Sequence, residues 1–529
     1  MKTLKQILIF RSIHKDLLFW GLFLVFFLIR IYSIHVPGLY ADEIYVPYVA
    51  LQTKLQVPSL HPPFVNIFGY KLPLGISPQS GGFPIYPQLL LLLLTENPFA
   101  HRVLSVVYAC IFILFFYSFM KSFLNRKVAL LSVLILTFMP SHIFYSRTDP
   151  YFILRLSIMS FMFYTFHRWY LQKGWKYFYM GCLAIGLGLS TRLEMVMFVI
   201  AFPIYLIFFN IGLLKNIHYL LRENLIRTVN GLILLFLGAF FYILFNLYSG
   251  YNILSFFKHE SLLKKADVLI AFLTNIGVRI DQIRDFFNCG NPFLEIEGNF
   301  CSFIPFYIMI LFWLIVTGVL IVKRFKGFPN RKIEFLAAMS ILIFLQSIPS
   351  TSLSPFHNLI ILPLLVGIFS YGLSLAPRIL ILILVAVLLA IYIPIDVKYY
   401  KNLRAFKESP LWSSTVFDLV ENLKKEKVNK ILAGDWGISR LIFYASKGEI
   451  TSEEIFGYSD DANSFIRKLE DEYKKEDNIY IFYLKGTVFN RIDPFKRFIT
   501  EKKIPYNEVF VSNRSGEPIY AIYRLKGEK

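Results

Sequence analysis

The chain has 529 residues, of which 56% are hydrophobic, 18% aromatic and only 17% charged. A soluble protein carries roughly 25% charged residues, so these figures exclude a string of soluble domains, and equally a disordered, collagen-like or disulfide-rich chain. The formal charge of +20 is uneven: residues 396–529 hold 24 basic and 21 acidic residues, whereas residues 1–395 hold 31 and 14.

The expected fold is therefore a polytopic α-helical membrane domain, residues 1–395, followed by a soluble α/β domain, residues 396–529. A bilayer core takes about 20 apolar residues per helix. That rule predicts eleven spans at about 17–34, 102–120, 128–145, 151–167, 177–190, 194–212, 229–248, 303–322, 333–349, 358–375 and 378–395. Basic residues collect on the cytoplasmic side of a membrane protein. With the N-terminus inside, the cytoplasmic segments hold 19 of the 31 basic residues against three acids, Asp16, Glu223 and Glu334. An odd number of spans then carries the C-terminal domain outside, as expected for a multi-pass protein of the plasma (inner) membrane. The first span has no small-residue cleavage site and carries Arg30 near its end, so it reads as a retained anchor. The net charge is mostly an orientation signal, and no nucleic-acid partner is expected.

The outer segments hold the chemistry. The first, about 35–101, contains Asp42-Glu43, His61-Pro62-Pro63 and Gly81-Gly82-Phe83-Pro84; its apolar pieces are too short to span and are expected along the interface. The second reads Ser146-Arg147-Thr148-Asp149-Pro150, and the third Thr191-Arg192-Leu193-Glu194. The fourth, about 249–302, has amphipathic stretches around 253–287 and holds Cys289 and Cys301; these close a 13-residue loop in an oxidising compartment or remain free thiols. The fifth runs from Pro349 to His357. Ionisable residues at membrane depth are costly and point to function. Each also has a plain structural reading: Asp42-Glu43 as a solvated loop, Asp149 as the N-cap before Pro150, and Arg192 paired with Glu194. The outer histidines, among them His101 and His142, read mostly as interfacial or turn residues. No zinc-type Cys/His spacing, phosphate-binding glycine loop or G-x-S-x-G motif occurs.

In the C-terminal domain, apolar runs at Ile431-Leu432-Ala433, 479–484, Val509-Phe510-Val511 and 520–523 predict strands. Helical patterns lie at about 412–427, 437–446 and 463–475.

Several of these motifs, taken in order, resemble a known family. Tyr40-Ala41-Asp42-Glu43-Ile44-Tyr45 after the first span, then His-Pro-Pro, then the run from Glu96 to Ala109 opening the second span, are similar to the polyprenyl-phosphate-sugar transferases of the GT-C superfamily. Glycosyltransferase family 39, with its protein O-mannosyltransferases and lipid A aminoarabinose transferases, is the group resembled. Ser146-Arg147-Thr148-Asp149 matches that pattern's second acidic position, and Ser350 to Leu365 its late outer turn, except that His357 stands where many members show an Arg-Tyr pair. A fainter resemblance links Asp149-Pro150-Tyr151-Phe152 and Gly434-Asp435-Trp436-Gly437 to the catalytic subunit of oligosaccharyltransferase.

The resemblance implies an inverting glycosyltransferase that takes a sugar from a polyprenyl-phosphate donor to a lipid, glycan or protein acceptor at the outer face. It implies Asp42 as general base, Glu43 as an orienting or acceptor-binding group, and Asp149 as the second acid. Arg192 is the expected clamp on the donor phosphate, with Arg147 and Arg102 as its runners-up and His61 and His357 in the vicinity of donor or acceptor. The family leaves metal open, a divalent cation near Asp42 and Asp149 being one option. The alternative of a transporter or lipid flippase predicts an internal repeat and broken midspan sites; no repeat is found.

Overall fold

The computed structural model of the protein describes residues 16–36, 38–57, 63–77, 80–148, 150–249, 268–288, 304–327, 330–349, 359–404, 412–457, 461–473, 478–485 and 487–525. Helix α1 (Leu17–Ile31) starts at Asp16, whose carboxylate accepts the Phe19 amide at 3.3 Å as an N-cap. Helix α2 (Tyr45–Leu55) follows, then the hairpins β1 (Phe64–Ile67) with β2 (Tyr70–Pro73) and β3 (Gly75–Ser77) with β4 (Ser80–Gly81). The bundle continues with α3 (Ile85–Leu94), α4 (Ala100–Phe123), α5 (Arg126–Phe138), α6 (Pro140–Thr148), α7 (Pro150–Gln172), α8 (Trp175–Leu189) and α9 (Met195–Phe209). It closes with α10 (Ile211–Glu223), α11 (Leu225–Tyr248), α12 (Val268–Asn288), α13 (Ile304–Phe325), α14 (Arg331–Ser347), α15 (Leu362–Leu375) and α16 (Arg378–Arg404).

Helices stand at every expected apolar segment, but length alone does not make each a span. Among the described residues, α4, α11, α13 and α16 are long and apolar enough to cross a membrane; the number rises to six only if each of the bent pairs α5–α6 and α9–α10 is counted as one span. Helices α1, α8 and α15 have 15, 15 and 14 residues, fewer than the roughly 20 that a span takes. The segment expected as a span at 128–145 is bent by 70° between α5 and α6. Pro140 has no N–H to continue the ladder and its ring crowds the preceding turn. That leaves the Leu136 carbonyl without its helical donor. Arg30 supplies one: its Nη2 lies 2.9 Å from that oxygen and 2.8 Å from His142 Nδ1, and its Nη1 reaches the Thr137 carbonyl at 3.3 Å. His142 is thus a buried bundle residue, not an interfacial one.

Close packing of α8 on α11 rests on missing side chains. A Cβ on Gly186 would lie 2.1 Å from the Leu235 carbonyl oxygen, and one on Gly238 would lie 2.8 Å from that of Leu183. Without a hydrophobic drive between helices in lipid, such small-residue contacts supply the packing.

Helix α16 runs on to Arg404, so the last bundle helix extends beyond residue 395. The C-terminal domain comprises α17 (Thr415–Lys425), β5 (Lys430–Ala433), α18 (Ile438–Ala445), β6 (Thr451–Glu454), α19 (Asn463–Glu472), β7 (Ile479–Tyr483), α20 (Ile492–Glu501), β8 (Tyr506–Ser512) and β9 (Pro518–Leu525). Its sheet has the order β6-β5-β7-β9-β8, with β5 parallel to β6 and β7, and β9 antiparallel to β7 and β8. The two-residue period of the central strand β7 explains how the domain docks. Ile479, Ile481 and Tyr483 join the core that is continuous with the bundle, while Tyr480 and Phe482 pack with α19 and α20 on the other face.

Candidate functional site

The chain between α1 and α2 carries Asp42 and Glu43, and two arginines hold it from beneath. Arg147, on α6, donates through Nη2 to the carbonyls of Tyr32 at 2.9 Å and Ser33 at 2.7 Å, and through Nε to that of Arg30 at 3.1 Å. These are the carbonyls that the end of α1 leaves without helical donors. Arg102, at the start of α4, donates to the Ile34 and Gly38 carbonyls, both at 2.9 Å, and grips Glu43 with two nitrogens, Nη2 at 2.9 Å from Oε2 and Nε on Oε1. His101 adds its Nε2 at 2.8 Å from Glu43 Oε1. Glu43, His101 and Arg102 are all buried. Burial pushes the Glu43 carboxyl up, but Arg102 and His101 more than offset it and hold it below the usual range. His101, expected as an interfacial or turn residue, is therefore the inner partner of this acid.

Asp42 has a different surrounding. It keeps partial solvent access, and the Tyr40 hydroxyl donates to its Oδ2 at 3.4 Å. Burial raises its carboxyl above the usual carboxylate range, against the opposing pull of Arg440, Arg192 and the Tyr40 hydroxyl. The adjacent acids are thus separated by environment: one is locked into an ion-pair network, and the other opens toward two cations.

Arg192 sits in the turn between α8 and α9, with Nε 2.9 and 3.0 Å from the two oxygens of Glu194. Its guanidinium lies over the rings of Tyr151, 4.8 Å, and Phe152, 5.3 Å. Arg155 lies 3.4 Å from the same Glu194 carboxylate. The expected Arg192–Glu194 pairing is present, and Arg192 also acts electrostatically on Asp42. Strand β4 seats this turn: Gly81 lies so close that a Cβ would be 2.4 Å from the Ser190 carbonyl oxygen.

The C-terminal domain closes the remaining side. Leu39 bridges Ser413 as a lone antiparallel pair, and Tyr40 stacks on Trp412 at 4.7 Å. Gly437, with φ +83°, lets the chain enter α18 against Ala41, where a Cβ would lie 2.4 Å from the Ala41 side chain. One turn into that helix, the Arg440 guanidinium lies 4.1 Å from the centroid of the Tyr45 ring and 5.4 Å from that of Trp436. Asp435 supports the approach: its Oδ1 accepts the amides of Trp436 at 2.7 Å and Val488 at 3.3 Å. Tyr40, Asp42, Tyr45, Trp436 and Arg440 all keep partial solvent access, so a ligand can approach here.

Of the expected site residues, Arg192 acts electrostatically on Asp42, and Glu43, Arg102 and Arg147 support the loop. Asp149, His61 and His357 lie outside the described residues, as do Cys289 and Cys301. Among the described residues, no group of three or more His, Cys, Asp or Glu is arranged to hold a metal ion. Arg440 and Arg155 were not anticipated, and Trp436 entered only through the fainter Gly434-Asp435-Trp436-Gly437 resemblance. Arg155 had a usable signal, an arginine inside an expected span.

Residues 84–248 match the family model of dolichyl-phosphate-mannose-protein mannosyltransferases. No curated protein matches the chain in sequence. Among solved structures it is similar to ArnT from Cupriavidus metallidurans in the apo state, at 10% identity and a TM-score of 0.62, over 97% of this chain and 98% of that one. ArnT bound to undecaprenyl phosphate gives 11% and 0.57 over the same shares. The oligosaccharyltransferase AglB from Archaeoglobus fulgidus, in complex with an inhibitory peptide and a dolichol-phosphate, gives 12% and 0.52 over 98% of this chain and 75% of that one. The chain thus shares its fold with ArnT and AglB along nearly its whole length, and within it residues 84–248 are similar to the dolichyl-phosphate-mannose-protein mannosyltransferases.

Proposed function

We propose that the protein transfers a sugar from a polyprenyl-phosphate carrier to an acceptor at the outer membrane face, with inversion at C1. The observation that carries this reading is the unlike fate of two adjacent acids. Glu43 is committed to Arg102 and His101, while Asp42 stays accessible between Arg192 and Arg440. A lipid-linked donor brings its phosphate to the membrane surface by itself, so the fold needs no soluble nucleotide-binding domain. The acceptor oxygen attacks C1 and the bond from C1 to the phosphate oxygen breaks. The lipid phosphate leaves with the bonding pair, and Asp42 takes the proton of an acceptor hydroxyl. Burial supports that role, because it brings the Asp42 carboxyl nearer to working pH while Arg440 and Arg192 keep it ionisable. Arg192, its plane set by Tyr151 and Phe152, stabilises the departing phosphate. Asp149 is assigned as the second acid, and His61 and His357 to the vicinity of donor or acceptor. Arg102 and Arg147 hold the loop. In this reading the N-terminus is cytoplasmic and the C-terminal domain lies outside.

ArnT is bound to undecaprenyl phosphate and AglB to a dolichol-phosphate in those structures, which supports a polyprenyl carrier here. Transfer of a whole oligosaccharide to protein is the second reading, favoured by the likeness to AglB over 98% of this chain. The test is mass spectrometry of membrane glycoconjugates from cells with the gene, without it, and with Asp42→Asn. A single added sugar that disappears in both the null and the Asp42→Asn cells is expected. Undiminished transfer by Asp42→Asn sinks the base assignment; loss of an oligosaccharide from protein instead selects the second reading.

A further inference from the structure

At the end of the bundle opposite Asp42, the chain builds a shelf that the transfer reaction does not use. Helix α7 begins beside the site and ends at Gln172; α8 returns from Trp175 to the Arg192 turn. Helix α9 leaves that turn, and α10 bends away from it by 113°, so α10 lies across the bundle axis, the orientation of a helix in the membrane plane. Asn210 makes the corner, its side chain accepting the Leu213 amide at 3.3 Å. Ile217, Leu220 and Leu221 of α10 pack on the cluster of Trp169, Tyr177 and Phe178, which fixes α10 against the α7–α8 turn.

The outward surface of this corner mixes charge and apolar bulk. Lys173, Lys176, Lys215, Arg222 and Arg227 are exposed, and Glu223 is the one exposed carboxylate among them. Three of the cations lie over aromatic faces: Lys173 on Tyr170 at 4.6 Å, Lys176 on Tyr177 at 5.1 Å, and Arg227 on Trp175 at 5.7 Å. Tyr219, Leu225 and Ile226 are exposed beside them, at 65%, 65% and 79%. Water is a poor partner for those three, and acyl chains are a poor partner for the cations. The boundary between headgroups and acyl chains satisfies both, with aromatic rings at the same depth.

We infer that the α7–α8 turn, α10 and the start of α11 form a binding site for anionic phospholipid headgroups. Lys215, Arg222 and Arg227 supply the charge, and Tyr219, Leu225 and Ile226 seat in the upper acyl region. The headgroup phosphate and any further anionic group bind the three cations, while zwitterionic lipid brings no net charge. The site is independent of the sugar-transfer reading.

The probe is phosphatidylglycerol. The full-length protein is placed in phosphatidylcholine bilayers in which a minor fraction of lipid is either dibrominated phosphatidylglycerol or dibrominated phosphatidylcholine, and tryptophan quenching is compared. Trp175 lies partly exposed on the shelf and Trp169 is buried just beneath it, so local enrichment of the anionic lipid, expected to be roughly tenfold, gives stronger quenching by the phosphatidylglycerol. The variant Lys215→Gln/Arg222→Gln/Arg227→Gln brings the two lipids to equal quenching. The variant Lys323→Gln/Lys326→Gln/Lys332→Gln removes the same charge at the α13–α14 turn and leaves the difference in place. Equal quenching in the wild type overturns the inference. So does an equal loss in both triple variants, because the attraction is then a general field and not a site.

Discussion

Glu43→Gln tests whether the loop that carries Asp42 is held by charge from below. Glu43 is fully enclosed and accepts from Arg102 Nη2 at 2.9 Å and His101 Nε2 at 2.8 Å, besides the Arg102 Nε bond. The same guanidinium ties down the Ile34 and Gly38 carbonyls at 2.9 Å. Neutralising one member of a buried pair leaves the other uncompensated and costs about 3–5 kcal/mol. Arg102→Met should cost a similar amount, because it strands Glu43 and releases two carbonyls. In Glu43→Gln/Arg102→Met no charge is stranded, so the double variant should be less destabilised than the sum of the singles by about 2 kcal/mol. The assay is reversible unfolding of the full chain in mixed micelles. The pH dependence supplies a second arm. The folded carboxyl is held below its ordinary value of 4.5, so the contribution of the pair is present above that value and is lost as pH falls through the folded value. Wild type should lose stability in that acid window more steeply than Glu43→Gln does. Additivity within about 0.5 kcal/mol, together with identical acid slopes, would refute the ion-pair support of the loop.

Further outcomes follow from the same contacts. Arg440→Met removes a cation that opposes the upward push of burial on Asp42; the acid limb of the transfer rate should move to higher pH, and Arg440→Lys should restore it. Arg192→Lys should keep charge but lose the planar fork stacked on Tyr151 and Phe152, weakening donor use by roughly tenfold in KM, with Arg192→Ala worse. Gly437→Ala puts a methyl into Ala41 at a left-handed backbone position; the unfolding midpoint of the full chain should fall, and transfer should fall with it. Asp16→Asn keeps an N-cap acceptor but weakens the pairing with Arg126 Nε and Nη2, at 2.8 and 2.9 Å. Because Arg126 is half exposed, the loss in unfolding free energy should be small and should shrink further in high salt.

Most of the bundle was legible because lipid imposes a one-dimensional rule: apolar length and loop charge are read directly along the chain. The rule fails where a local exception sits inside an apolar run. Pro140 breaks 128–145, yet its neighbours Leu136, Thr137 and Ile143 are as apolar or small as those of a straight span. Arg30 reads from sequence as a charge near a span end; its actual partners, the Leu136 and Thr137 carbonyls, exist because Pro140 exposes them. In the C-terminal domain, strands β5, β7, β8 and β9 announce themselves by apolar runs. Strand β6 has the sequence Thr-Ser-Glu-Glu, and as an edge strand it has no need of apolar side chains on both faces.

The candidate site divides in the same way. Asp42-Glu43 stands out in the sequence by its place after a span. Which of the two acids stays available was not legible there, because the choice is made by Arg102 and His101 at the head of α4, and no local pattern distinguishes two consecutive carboxylates in a loop. Arg440 was further out of reach. It lies in a polar domain rich in arginine and lysine, where one more cation carries no signal, and only the docking of α18 on Tyr45 gives it a role. The turn that makes this docking possible is marked in sequence by Gly434-Asp435-Trp436-Gly437, a motif with a mechanical content: Asp435 fastens the turn, Trp436 faces the Tyr40 ring, and Gly437 admits Ala41. A glycine at a positive φ next to a buried aspartate therefore marks the contact between the domains, and the arginine one helical turn beyond it is the residue delivered to the site.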